Sequence, residues 1–280
     1  MVEPILRWAG SKKKLLPLLA AATPARFNRY VEPFVGSAIL FLRLDAEAAL
    51  LGDINADLID TYTTLRDHPR AIWNRVSSMR LDSDYYYDLR SQNPASLPKL
   101  DRAARFVYLN RFCFNGVYRT NRNGMFNVAR GQGHLYVPDY EVFSAMAKAL
   151  RRADLRSGDF EAVVNSAQRG DYLYLDPPYA LGGKRDRGEY GVGSFREADE
   201  DRLVESIQRA SRRGVSVLLS YSPSARVIDD LRGWNVRDLT VARNVAGFGG
   251  SRRQAQEILV SNYEWKLPLK QRHSGQVHVN

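Results

Sequence analysis

Apolar and polar residues follow two periods along this chain. Short apolar runs end in an acid or a glycine turn, and stretches with helical spacing follow them. The segment FNRYVEPFVGSAILFLRL predicts a strand, a glycine turn and an amphipathic helix. AALLGDINADLIDTYTTL predicts the same order again, with Asp53 at the strand end and a helix capped near Asn55. Two such units in succession predict a parallel sheet covered by helices. Upstream, ILRWAGSKKKLLPLLAAA reads as an extended piece, a Gly-Ser turn and a helix whose first turn is crowded with lysines. Lysines there oppose the helix dipole, so this helix start looks prepared for an anion or a carboxylate.

The alternation then stops until about Leu150. HPRAIWNRVSSM, DSDYYYDLRSQ and LDRAARFVYLNRF read as helices, and RTNRNGMFNV places Asn123-Gly124 between β-prone residues, as in a hairpin. Strand and helix return with ADLRSGDFEAVVNSA, GDYLYLDPPY, EADEDRLVESIQRASRRG, VSVLLSY and SARVIDDLRG. NVRDLTVAR and EILVSNY, close in sequence, predict an antiparallel pair at the end of the sheet. The expected organisation is a discontinuous catalytic domain over residues 1–56 and 151–265, an inserted domain over 57–150, and a basic flexible tail over 266–280.

Composition narrows the partner. Lys plus Arg number 41 against 31 Asp plus Glu, a net charge of +10, which suggests a polyanion such as nucleic acid or an anionic membrane surface. The one cysteine, Cys113, excludes an internal disulfide and fits a reducing cytoplasm. No apolar run reaches the ~18 residues of a membrane span, and the N-terminus lacks the order of a secretory signal, so a cytoplasmic location is expected.

In doubly wound sheets ligands sit beyond the carboxyl ends of the strands, and three such ends carry suggestive residues. In Glu32-Pro33-Phe34-Val35-Gly36-Ser37, Gly36 lets a ligand approach the backbone. Asp53 stands where an acid can take both ribose hydroxyls of a nucleoside. Neither phosphate-binding glycine motif is present, which favours a nucleoside ligand without phosphate, such as S-adenosylmethionine; structural packing is the competing explanation of this turn and acid. The third end is Asp176-Pro177-Pro178-Tyr179. There a carboxylate and the Pro177 carbonyl could accept the two hydrogens of an exocyclic amine while Tyr179 stacks on an extruded base. The four histidines are scattered and no Cys/His cluster makes a metal site. Cys113 reads as packing, as do Tyr85 to Tyr87. Arg111, Arg119, Arg122 and Arg130 surround the turn in the inserted region, either as a nucleic-acid reading surface or as a solvated basic hairpin.

RWAGSKKKLL, VEPFVGSAILFL, GDIN, YLNRFCFNGVYRTNRNGMFNV and LDPPY, in that order, resemble the alpha group of Dam-type DNA adenine-N6 methyltransferases, from Leu6 to about Tyr263. The resemblance implies a Rossmann-like α/β domain that binds S-adenosylmethionine, and an inserted helical target-recognition domain carrying a β-hairpin. It implies Trp8, Lys12, Asp53 and Asp176 as cofactor contacts, joined by Phe34 and Gly36 of the glycine turn. Asp176, Pro177 and Tyr179 are the catalytic set. Arg7, Phe114, Asn115, Val117 and Arg119 face DNA, with Arg122 and Arg130 of the same hairpin. The implied partner is double-stranded DNA, modified at GATC or a related site in the nucleoid, with a cognate restriction endonuclease as a candidate companion. Where the family often has proline after Phe-Asn-Val, this chain has Ala129, which puts GATC itself in doubt. RNA methylation, cytosine-N4 methylation and a catalytically silent DNA-binding relative remain the alternatives.

Overall fold

The computed structural model describes residues 2–121, 123–132, 136–178, 195–244, 252–266 and 277–279; at 241–244, 252–255 and 277–279 only the backbone is described. A 3₁₀ turn at Lys13–Leu15 leads into α1 (Leu16–Ala22), so the lysines precede the α-helix instead of filling its first turn. Pro17, near the helix start where its missing N–H costs nothing, sets that boundary. Then come β1 (Tyr30–Glu32), α2 (Ile39–Leu44), β2 (Ala49–Asp53) and α3 (Ala56–Asp67), the two predicted strand-turn-helix units. The Asn55 side chain caps α3 by accepting from the Leu58 N–H at 3.1 Å.

Helices α4 (Pro69–Ser77), α5 (Ser83–Ser91) and α6 (Lys99–Phe112) follow, then α7 (Tyr140–Leu150), a further helix beyond the three that the sequence pattern predicts here. The second half supplies β3 (Ala153–Ser157), α8 (Phe160–Asn165), β4 (Tyr172–Leu175), α9 (Glu197–Arg212), β5 (Ser216–Tyr221), α10 (Ala225–Asp230), β6 (Asn235–Asn244) and β7 (Arg252–Ser261). The strands form one mixed sheet in the order β3-β2-β1-β4-β5-β7-β6, with β8 (Val277–Val279) against β6. A short piece of the tail expected to be flexible is thus paired. The first five strands are parallel, and β7 runs antiparallel to both β5 and β6, as the closeness of β6 and β7 in sequence predicts.

Two apolar clusters cover the two faces of the sheet. Leu203, Ile207, Val163 and Val164 of α9 and α8 pack with Leu173, Leu175, Val217 and Leu219. The other cluster joins Tyr30, Leu51, Tyr172 and Tyr174 to Leu58, Tyr62, Ile72, Tyr86, Val107 and Met146. Residues 57–150 therefore share a continuous core with the sheet, because α3 and α7 lie on it while α4, α5 and α6 build outward. The central strands run apolar on both faces, the pattern of a sheet buried on both sides.

From β1 the chain moves outward to β2 and β3, then returns to place β4 on the other side of β1. The carboxyl ends of β1 and β4 thus flank the point where strand order reverses, the position at which open α/β sheets take ligands.

Candidate active site

At that point lies a cavity of about 450 Å³, within the ~300–1,000 Å³ range of small-molecule sites. Its wall draws on the N-terminal segment (Trp8 to Lys12), the ends of β1, β2 and β4, and Tyr118 and Thr120 of the hairpin region. Trp8, Lys12, Phe34, Gly36, Asp53, Asp176 and Pro177 all line it, so residues far apart in sequence meet around one space.

Gly36 explains how the glycine turn is built. Its φ of +45° lies in the left-handed region, and a Cβ there would sit 2.8 Å from Trp8 Cδ1. The indole therefore rests directly on the glycine backbone. The Gly36 N–H donates to Asp53 Oδ2 at 3.1 Å, and its carbonyl accepts from the Tyr62 hydroxyl at 2.6 Å. Asp53 Oδ1 accepts from the Asn55 N–H at 3.0 Å, which fixes the carboxylate at the strand end. Burial pushes the Asp53 carboxyl up to about 6, against the opposing pull of these N–H donors. Phe34 stacks on Phe160, with ring centroids 5.4 Å apart, and meets Phe195 edge-on.

Glu32, Tyr174, Tyr118 and Glu257 were not singled out in the sequence. Glu32 is buried at the end of β1, and burial holds its carboxyl well above the usual carboxylate range. Tyr118 stacks on Trp8 with centroids 6.1 Å apart and donates to Asp57 Oδ2 at 3.0 Å, which ties the hairpin to the cavity wall and to α3. Lys12 is buried, with Nζ 3.0 Å from Asp176 Oδ1 and 3.4 Å from Glu257 Oε2. The lysine-rich turn thus receives carboxylates of the protein itself. The signal for Tyr118 was its place in the aromatic-rich hairpin; nothing in the local pattern marks Glu257 as more than a polar strand residue.

Among the described residues the hairpin region carries two isolated antiparallel bridges, Cys113 to Arg130 and Thr120 to Phe126, in place of regular strands. The Asn121 carbonyl accepts from the Gly124 N–H at 2.9 Å and closes the turn. Arg7 is joined to the base of this region: its backbone exchanges hydrogen bonds of 2.8 and 2.6 Å with the Asn110 side chain. Gly116, at φ +65°, lies so close that a Cβ would be 2.6 Å from Arg7 Cβ. Phe114 is exposed, Asn115 beside it adopts φ +54°, and Val117 is half-buried. Arg119 donates from Nε to Asn127 Oδ1 at 2.8 Å.

Two more of the arginines are tied to the protein. Arg111 is buried, reaching the Tyr136 carbonyl, and Arg130 donates to the Leu81 carbonyl at 2.7 Å. Cys113 is packing: it is buried, and burial pushes its thiol up to about 12. Tyr86 is buried, donating to the Val128 carbonyl at 3.0 Å, and Tyr85 packs edge-on against Tyr108. Tyr179, Arg122 and the segment after Tyr179 lie outside the described residues.

Residues 8–242 match the family model described as D12 class N6 adenine-specific DNA methyltransferase. The chain is 32% identical over 272 residues to the type II methyltransferase M1.LlaDCHI of Lactococcus lactis subsp. cremoris, which covers 94% of this chain and 96% of that one. It is 32% identical over 261 residues to a DNA adenine methylase of Vibrio cholerae, at 91% and 94% coverage. It is 35% identical over 265 residues to the DNA N-6-adenine-methyltransferase of Escherichia phage P1, covering 91% of this chain and 35% of that longer one.

Proposed function

The chain belongs to the D12 class of N6 adenine-specific DNA methyltransferases, and on that premise we propose how its residues divide the work of methylating adenine in duplex DNA. The observation that carries the proposal is the meeting of Asp53, Gly36, Trp8 and Asp176 around one cavity at the reversal point of the sheet.

The residues present fit S-adenosylmethionine. Asp53, held by two backbone N–H groups, has the acceptor chemistry for ribose hydroxyls, and Trp8, Phe34 and the exposed Ile54 offer apolar surface to an adenine ring. When bound, S-adenosylmethionine supplies a methyl group on a sulfonium. Asp176 then accepts one hydrogen of the target amine and the Pro177 carbonyl accepts the other. With both hydrogens held, the nitrogen lone pair is free to form the new N–C bond as the C–S bond breaks, and the proton lost from nitrogen passes to the Asp176 carboxylate. Tyr179 stacks on the adenine after it leaves the duplex. Residues 57–150 recognise the target: Phe114, Asn115, Val117 and Arg119 meet the bases with Arg7 beside them, Arg122 faces the phosphates, and Arg130, which donates one N–H to the Leu81 carbonyl, has its other N–H donors left for them. The exposure of Phe114 and Asn115 supports that division. The site is GATC or a related sequence, and the likeness to a type II methyltransferase supports a companion restriction endonuclease.

The test is transfer of labelled methyl to duplex DNA, with nucleoside analysis of the product and single-molecule sequencing of DNA from expressing cells. Methyl on adenine N6, abolished by Asp176→Ala, is expected. Residual turnover of that variant within tenfold of wild type would refute the acceptor role.

A further inference from the structure

Resting on the reading of Asp176 as the amine acceptor, we propose that Glu257 is a positioning residue for methyl transfer, acting through Lys12. Glu257 belongs to β7, where side chains alternate between the two faces of the sheet. Ile258 and Val260 join one apolar cluster, and Leu259 joins the other. Glu257 stands on the face of Leu259, almost fully buried, where an apolar side chain would pack without the cost of desolvating a charge. Stability alone does not account for an acid at this position.

The contact it makes does. Its Oε2 lies 3.4 Å from Lys12 Nζ, and the same ammonium lies 3.0 Å from Asp176 Oδ1. Lys12 and Glu257 are both buried; Lys12 and Asp176 line the cavity, and Asp176 is the more exposed of the three. One ammonium is thus shared by two carboxylates. Paired with Asp176 alone in a desolvated site, Lys12 would spend its whole charge on the acceptor and weaken its pull on the amine hydrogen. Glu257 takes part of that charge and holds the lysine from a rigid strand. Asp176 is left both oriented and anionic. The arrangement joins three segments far apart in the chain: the N-terminal turn, the end of β4 and the antiparallel β7.

Glu257→Gln keeps size and an acceptor oxygen while removing the charge. Its kcat is expected to fall at least tenfold, with the dissociation constant for S-adenosylmethionine, read by calorimetry, within threefold of wild type. Glu257→Asp, which restores the charge on a shorter arm, should recover part of the rate. A kcat for Glu257→Gln within twofold of wild type overturns the proposal. So does a rate loss matched by an equal loss of cofactor affinity, or no recovery in Glu257→Asp. If Glu257→Gln does not fold, Glu257→Asp carries the test alone: a lowered kcat at unchanged affinity supports the role, and an unchanged kcat overturns it. Asp176→Ala, measured in parallel, separates the two readings. Near-normal turnover there removes the acceptor role itself, whereas an inactive Asp176→Ala beside an unaffected Glu257→Gln removes the Glu257 role alone.

Discussion

Gly36→Ala perturbs the cofactor wall at one atom. The backbone there has φ +45°, and an L-residue held in the left-handed region costs about 1–2 kcal/mol. The added methyl would also stand 2.8 Å from Trp8 Cδ1 and 2.9 Å from Nε1, so the indole must move off the turn. Trp8 is stacked on Tyr118, so that movement also loosens an aromatic pair worth about 0.5–1.5 kcal/mol. Backbone relief is blocked on both sides, since the Gly36 N–H is bound to Asp53 and its carbonyl to the Tyr62 hydroxyl. A penalty of about 2–3 kcal/mol results; carried wholly by cofactor binding, it raises the dissociation constant on the order of 30- to 150-fold. Calorimetric titration with S-adenosylmethionine, beside urea denaturation of the free protein, reads how the penalty divides. Binding within threefold of wild type together with unchanged stability would refute the account of the turn.

Four further outcomes follow from the same structure. Because burial holds Asp53 near 6 in the free protein, cofactor affinity should be flat above about pH 7 and fall roughly tenfold per unit below 6, and Asp53→Asn should bind weakly with this step removed. The folded-state value lies above the unfolded one, so Asp53 makes the free protein less stable as pH rises from about 4 to 6; denaturation of wild type against Asp53→Asn across that range checks the sign. Arg119→Ala should lose about 1–3 kcal/mol of preference at one base of the site, measured as kcat/KM on singly substituted duplexes, and an equal loss on every sequence would mark a phosphate contact instead. Arg105 is buried and donates to the Leu89 and Arg90 carbonyls at the end of α5, so Arg105→Met should cost about 1–3 kcal/mol in urea denaturation, with no loss contradicting a structural role.

The residues at strand ends were legible in the sequence because they sit where a short apolar run stops and a helical period begins. That pattern alone put Gly36, Asp53 and Asp176 at the ends of β1, β2 and β4, and it announced the antiparallel β6–β7 pair. The motif order from Trp8 to the Asp-Pro-Pro-Tyr stretch carried the family. Other features depended on contacts between segments with no common periodicity. The sequence could not show that Trp8 lies on Gly36, that Arg111 and Arg130 bind carbonyls of their own protein, or that the cores of residues 57–150 and the sheet are one. Glu257 is the sharpest case. In QAQEILVSNY it looks like the solvent-side member of an alternating strand, yet folding buries it against Lys12, a residue near the other end of the chain. Local chemistry is written in spacing along the chain. The partner of a buried charge is decided by which strands the topology makes neighbours, and only the folded sheet brings β4, β7 and the N-terminal turn to one ammonium.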